Sequence, residues 1–180
     1  MAFRDHLAAA TIEKDAVSVI HGMWEHSRNN GHPLTIFENI IECPGQRAAV
    51  NLLTRERLCA AIGISPEDYI DTLGWAMSNP QQPQIISPND SPCFENIQEE
   101  VDITKLPIPH HWPQDRGRYV SASVIIAEDN GIRNMSFHHQ FVRDKNHLVV
   151  RLVPRHLRTM TMAAREQGRK VKIAIVNAPD

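Results

Sequence analysis

No apolar run in this sequence approaches the roughly 18 residues that a membrane-crossing helix needs. Its three cysteines, Cys43, Cys59 and Cys93, are widely spaced and form no CxxC pair. The first absence excludes a membrane protein of the helical kind. The second excludes a zinc knuckle and a disulfide framework, and it fits a reducing compartment. An excess of one charge is missing too. With 19 basic and 21 acidic residues the formal net charge is −2, which makes no electrostatic case for nucleic acid or an anionic membrane surface. The opening Met-Ala-Phe-Arg-Asp-His-Leu is charged too early for a signal peptide. There is no GxGxxG after a strand, no GxxxxGK[ST], no HExxH and no GxSxG, and no cysteine sits where a nucleophile would. The expectation is a cytoplasmic protein without nucleic-acid or membrane partners.

What is present is ordinary globular sequence with uneven punctuation. At 180 residues and 42% hydrophobic content, the chain can build one good core or two small lobes. Phe3 to about Ala10 reads as a short opening helix. Ala16–Ile20, Leu34–Ile40 and Ala48–Leu52 read as strands, and the polar stretch His21–His32 between the first two carries no element. Thr54 caps a helix over Arg55–Ile62 that Gly63 stops. Ser65-Pro66-Glu67-Asp68 opens another that reaches about Met77. Four prolines between Asn79 and Pro92, and three more by Pro113, make an extended arm. Beyond Gly117 the texture turns to strands: Tyr119–Ala127, an Asn130-Gly131 hairpin turn, Asn134–Val142 and His147–Val153. A helix over His156–Gln167 and a strand over Val171–Val176 follow. The class is α/β, of the α+β kind.

Chemistry concentrates in Arg133–His139 and Val153–Leu157. Asn134, Ser136 and His138 are two apart on a strand and share a face, while His139 points away from it. His156 opens a helix. An amide oxygen and a neutral imidazole suit a borderline-hard divalent ion such as Mn²⁺, and such a site normally adds a carboxylate. Arg151, Arg155 and the helix N-terminus suit a phosphate. His110-His111 reads as a surface or interface feature of the arm, and His21, His26 and His32 as incidental.

These residues, with others in order, resemble the N-terminal part of the UbiD-type decarboxylases. Leu34–Asn39 is similar to an early family strand, Val50–Arg57 with Ala61-Ile62-Gly63 to its Asn-Leu, Arg-Glu-Arg and Leu-Gly stretch. Leu106-Pro107 and Asp115–Tyr119 resemble the segment before the flavin domain, and Asn134-Met135-Ser136 with Pro154–Leu157 is the strongest match. The resemblance implies a small α/β lobe over 1–100, with a proline-rich linker from about 79, followed by an incomplete flavin-binding split β-barrel over 101–180. It implies prenylated FMN as cofactor and manganese, with potassium a second candidate ion. Asn134 and His156 become metal ligands; Asn134, Ser136, Phe137, His138, His139, Arg151, Leu152 and Arg155 become cofactor-binding residues. The implied activity is reversible decarboxylation of aromatic or α,β-unsaturated carboxylic acids.

Two departures shape the expectation. His139 stands where the family has an arginine, and it cannot make a guanidinium's bidentate carboxylate contact. The family's third ligand, a glutamate, and its proton-transfer acids lie further along than this sequence runs, so no catalytic residue is assigned here. The expected role is therefore an N-terminal portion or split subunit supplying the metal and phosphate end of the site, inactive alone. The alternative is a non-catalytic flavin-binding or partner-binding accessory subunit. Either implies a homo-oligomer or a complementing larger subunit.

Overall fold

The computed structural model describes residues 10–177. The expected opening helix lies almost wholly outside the described residues. In the first half, β1 (Thr11–Glu13), β2 (Thr35–Phe37) and β3 (Ala48–Val50) form one sheet in that order. β1 and β2 run parallel, and β2 and β3 antiparallel. A parallel pair needs a crossover, and α1 (Gly22–Asn29) lies within it. The core beneath is Val17, Val19, Met23, Phe37, Ile40 and Cys43.

Two expectations change here. His21–His32 holds a helix where none was expected, because α1 fully buries only Met23 and Ser27 and, Trp24 apart, carries no other large apolar side chain. Two buried positions four apart are too narrow a stripe to register as amphipathic periodicity. Ala16–Ile20 is no strand: it makes isolated bridges, Val17 to Ile40 and Ile20 to His110. The Val19 N–H donates to Glu42 Oε2 at 2.9 Å, so a side chain takes a ladder position.

The next two helices follow from local signals. α2 (Arg55–Ile62) begins where Thr54 Oγ1 accepts from the Arg57 N–H and ends at Gly63, whose φ of 73° is left-handed. α3 (Tyr69–Ser78) starts three residues later than its Pro66 signal, with no buried residue. The arm that follows contains short 3-10 turns at Pro88–Asp90, Pro92–Phe94 and Ile103–Lys105. It returns to the first half through the residues read as incidental. His110 N–H donates to Val19 O and His21 N–H to His110 O, each at 2.9 Å. Trp24 and Trp112 meet with ring centroids 4.7 Å apart, and His21 stacks on Trp24 at 5.1 Å. His26 packs edge-on against Phe37, and His32 Nδ1 pairs with Ser27 Oγ. His21, His110 and His111 thus tie the arm down, while His26 and His32 bind within the first half.

The second half comprises β4 (Tyr119–Val120), β5 (Ser123–Asp129), β6 (Ile132–Phe137), β7 (Gln140–Asp144), β8 (His147–Val150), α4 (His156–Glu166) and β9 (Lys172–Asn177). They make two antiparallel three-stranded sheets, β4-β7-β8 and β6-β5-β9. Two of the strands expected here, Tyr119–Ala127 and Asn134–Val142, are each in fact two. The chain changes sheet between Val120 and Ser123, and again at His138-His139. Alternation carries through a corner unchanged, so periodicity cannot reveal it. The hairpin turn is as expected, with Asn130 at φ 50° and Gly131 at φ 75°. α4 packs Leu157 onto Ile125 and Ala127, with Val150, Leu152, Met160 and Val171 around them.

Candidate functional site at the β6–α4 face

β6 register decides where the polar row points. Asn134 lies opposite Ala127 and Ser136 opposite Ile125, and directly paired residues share a sheet face. Ile125 and Ala127 are the residues beneath Leu157. Asn134, Ser136 and His138 therefore lie on the face that α4 covers, beside the helix that His156 opens. All three are half-buried, whereas Met135, Phe137 and His139 are exposed.

The row is internally bonded. Asn134 Nδ2 donates to Ser136 Oγ at 3.4 Å, and Ser136 Oγ lies 3.1 Å from His138 Nε2. Having accepted from Asn134, the hydroxyl has its own proton to give to His138. Using Nδ2 in this way leaves the Asn134 carbonyl oxygen as its free end.

The expected residues thus divide. Asn134, Ser136 and His138 come together on one face with α4. Phe137, 80% exposed, is turned to the other side of the strand, and His139, beyond the strand's end, is exposed. Leu152 packs with the α4 core and, with Ile125, Val150 and Leu157, lines a cavity of about 330 Å³ whose rim carries Arg165 and Lys170. Arg151, Arg155 and His156 are exposed around the entrance to α4. Arg155 is the N-cap and gives no side-chain cap bond, so the first-turn N–H groups of this 11-residue helix are free for an anion.

This donor set fits a cofactor phosphate directly: free helix N–H groups, the helix dipole and arginines close by. It fits a divalent ion in part, through one amide oxygen and one imidazole. Among the described residues no group of three or more His, Cys, Asp or Glu gathers to hold a metal. An ion held there would need its remaining ligands from phosphate oxygens, water or another protein segment.

Sequence reasoning missed the supports. Gln140 is fully buried, donating through Nε2 to Ser123 Oγ at 2.7 Å and to the His138 carbonyl at 3.1 Å. Its only sequence signal was a glutamine inside the strand expected over Asn134–Val142. Arg169, after α4, grips Asp129 at 2.6 Å and ties the helix exit to the β5–β6 hairpin. The Arg169 guanidinium holds the Asp129 carboxyl below its ordinary range.

A mixed α/β chain whose antiparallel sheets carry an amide–hydroxyl–imidazole row under a helix N-terminus is a candidate phosphate and cofactor binder. The family model described as the UbiD 3-octaprenyl-4-hydroxybenzoate carboxy-lyase Rift-related domain matches residues 84–180, and the chain belongs to that family. It is 34% identical over 143 residues to an anhydromevalonate phosphate decarboxylase of Methanosarcina mazei, covering 78% of this chain and 32% of that protein. With the protein of the same name from Methanothermobacter thermautotrophicus it shares 30% identity over 173 residues, 95% of this chain and 40% of the relative. An evolved dimeric form of the UbiD-class enzyme HmfF from Pelotomaculum thermopropionicum, in complex with prFMN, superimposes with a TM-score of 0.88 at 28% identity. That match covers 97% of this chain and 43% of the other. The chain thus spans less than half the length of each of these proteins.

Proposed function

We propose that this chain supplies the metal and cofactor-phosphate end of a prenylated-FMN-dependent decarboxylase that acts reversibly on aromatic or α,β-unsaturated carboxylic acids. The observation that carries the reading is the shared face of Asn134, Ser136 and His138 with an uncapped α4 that begins at His156. In this reading residues 1–100 form a lobe and 101–180 open the cofactor domain. Asn134 Oδ1 and the His156 imidazole bind Mn²⁺, with K⁺ as a second candidate ion. The first-turn N–H groups of α4, with Arg155 and Arg151, bind the phosphate. Ser136 holds the Asn134 amide so that its oxygen faces outward, and Leu152 forms part of the apolar wall. Prenylated FMN, when bound, supplies the electron sink for decarboxylation. Phe137, on the opposite face, and His139, beyond the strand's end, reach the cofactor only if it wraps the strand edge. The proton-transfer acid comes from a further protein segment, so the chain alone turns over no substrate.

Flavin titration of the purified chain, with and without Mn²⁺, tests the site. Asn134→Ala and His156→Ala should each weaken Mn²⁺-dependent flavin binding by roughly 10–100-fold, the scale on which ligand-shell losses act. Binding that neither substitution alters would remove the assignment.

An accessory role is the second reading, favoured by the apolar surface that the chain leaves open. α3 exposes Ile70, Trp75 and Met77, and β9, at the rim of its sheet, exposes Ile173 and Ile175. Co-purification with a larger homologous subunit carrying the absent acidic residues supports this reading. A strictly monomeric chain that never co-purifies with such a subunit counts against it.

A further inference from the structure

Gln140 opens β7, in one sheet of the second half, and its side chain reaches into the other sheet. Its Nε2 spans Ser123 Oγ, at the start of β5, and the carbonyl of His138, just past the end of β6. The amide orientation is not arbitrary. A carbonyl only accepts, so the atom facing His138 O must be the nitrogen. That leaves Oε1 inward, and it is the one buried side-chain polar atom among the described residues without a protein partner. Gln140 itself has no exposed surface.

An amide with this balance is a poor stabilising device. Two hydrogen bonds, each modest in net worth, stand against one buried acceptor that has lost its water, and the two sides are of similar size. An apolar side chain of the same length at Gln140 together with alanine at Ser123, so that no buried hydroxyl is left stranded, would give up the bonds and the penalty together. The amide's other effect has no apolar substitute: it sets the direction of the His138 carbonyl. The corner at His138-His139 lies between strands of different sheets and so lacks ladder bonds of its own. The His138 ring, in turn, meets the hydroxyl that orients Asn134.

We infer that Gln140 is a positioning residue: it holds the His138-His139 corner in register with Asn134 and Ser136, while the Gln140–Ser123 pair adds nothing net to stability. The inference rests on the proposed cofactor site only for its consequence in binding. The corner itself can be measured without cofactor.

The experiment compares the wild-type chain with Gln140→Met, which keeps length and volume, and Ser123→Ala, which removes only the cross-sheet bond. With Ser123→Ala added to Gln140→Met, the melting temperature should not change, while the backbone order parameters of His138 and His139 fall from about 0.85 toward about 0.6. Mn²⁺-dependent flavin affinity should fall by roughly tenfold in the same double variant, with Ser123→Ala alone staying within about twofold of wild type. A double variant that melts early or fails to fold would show a stabilising clamp and overturn the inference. So would unchanged order at the corner, or an equal loss in Ser123→Ala alone. A wild-type chain that binds no flavin sinks the functional reading instead, and the order-parameter and melting data then decide the role of Gln140.

Discussion

Glu42 shows how much one side chain can carry. Its carboxylate accepts from Ser18 Oγ and from the Val19 N–H, closing a loop 23 residues long in place of a strand ladder. Burial pushes this carboxyl up, but the bonds from Ser18 and Val19 together outweigh burial and hold it below the usual range. A depressed folded-state pKa means the stabilisation is full above the unfolded carboxylate's pKa and is lost as pH falls through the folded value. Glu42→Gln should therefore cost about 1–2 kcal/mol near neutral pH. It should also flatten the acid limb of the stability profile, read as urea midpoints across the acid range. Residues of this kind were hidden in the sequence because their partners are distant in the chain. Asn134, Ser136 and His138 were legible as one face because a strand's period of two is local. The same period does not reach His139, which lies past the end of β6 where the chain changes sheet.

At the scale of elements, capping was the reliable signal. Thr54 and Gly63 bound α2 as the sequence indicated, and Thr54→Ala should destabilise the chain by about 1 kcal/mol. α1 was missed because its inward face is two residues wide. The sheet changes at Val120–Ser123 and His138-His139 were missed because alternation survives a corner. α4 is the element on which the site depends. Leu157, 6% exposed, fastens it to Ile125 and Ala127 one residue after His156. Leu157→Ala should cost about 2–5 kcal/mol by chemical denaturation, and flavin affinity should fall with it as the helix N-terminus loosens. Full affinity in a Leu157→Ala chain that still folds would show that α4 docking does not set the site.

The whole molecule buries two modest clusters and leaves much apolar surface open. Trp75 is 62% exposed, Met77 84%, Ile85 90% and Phe137 80%. A helix with an apolar face and nothing against it marks a surface that another segment or subunit covers. The chain spans 32% and 40% of the two decarboxylases it matches, which accords with that reading. In isolation it should self-associate with rising concentration by light scattering. Ile70→Lys with Trp75→Lys should reduce the association without lowering the melting temperature, since neither side chain is buried.

By itself the sequence determined the α/β class, the capped helix α2, the hairpin at Asn130-Gly131 and the family, because propensities, turn chemistry and ordered motifs act over a few residues. It also placed Asn134, Ser136 and His138 on one side of a strand. Only the tertiary structure decided which side that was: the face beneath α4, with Phe137 and His139 left outside. It decided too that Gln140, Glu42 and the arm histidines are supports. Such roles depend on which distant atoms meet, and a one-dimensional pattern holds no record of a donor and its acceptor once the chain between them has turned a corner.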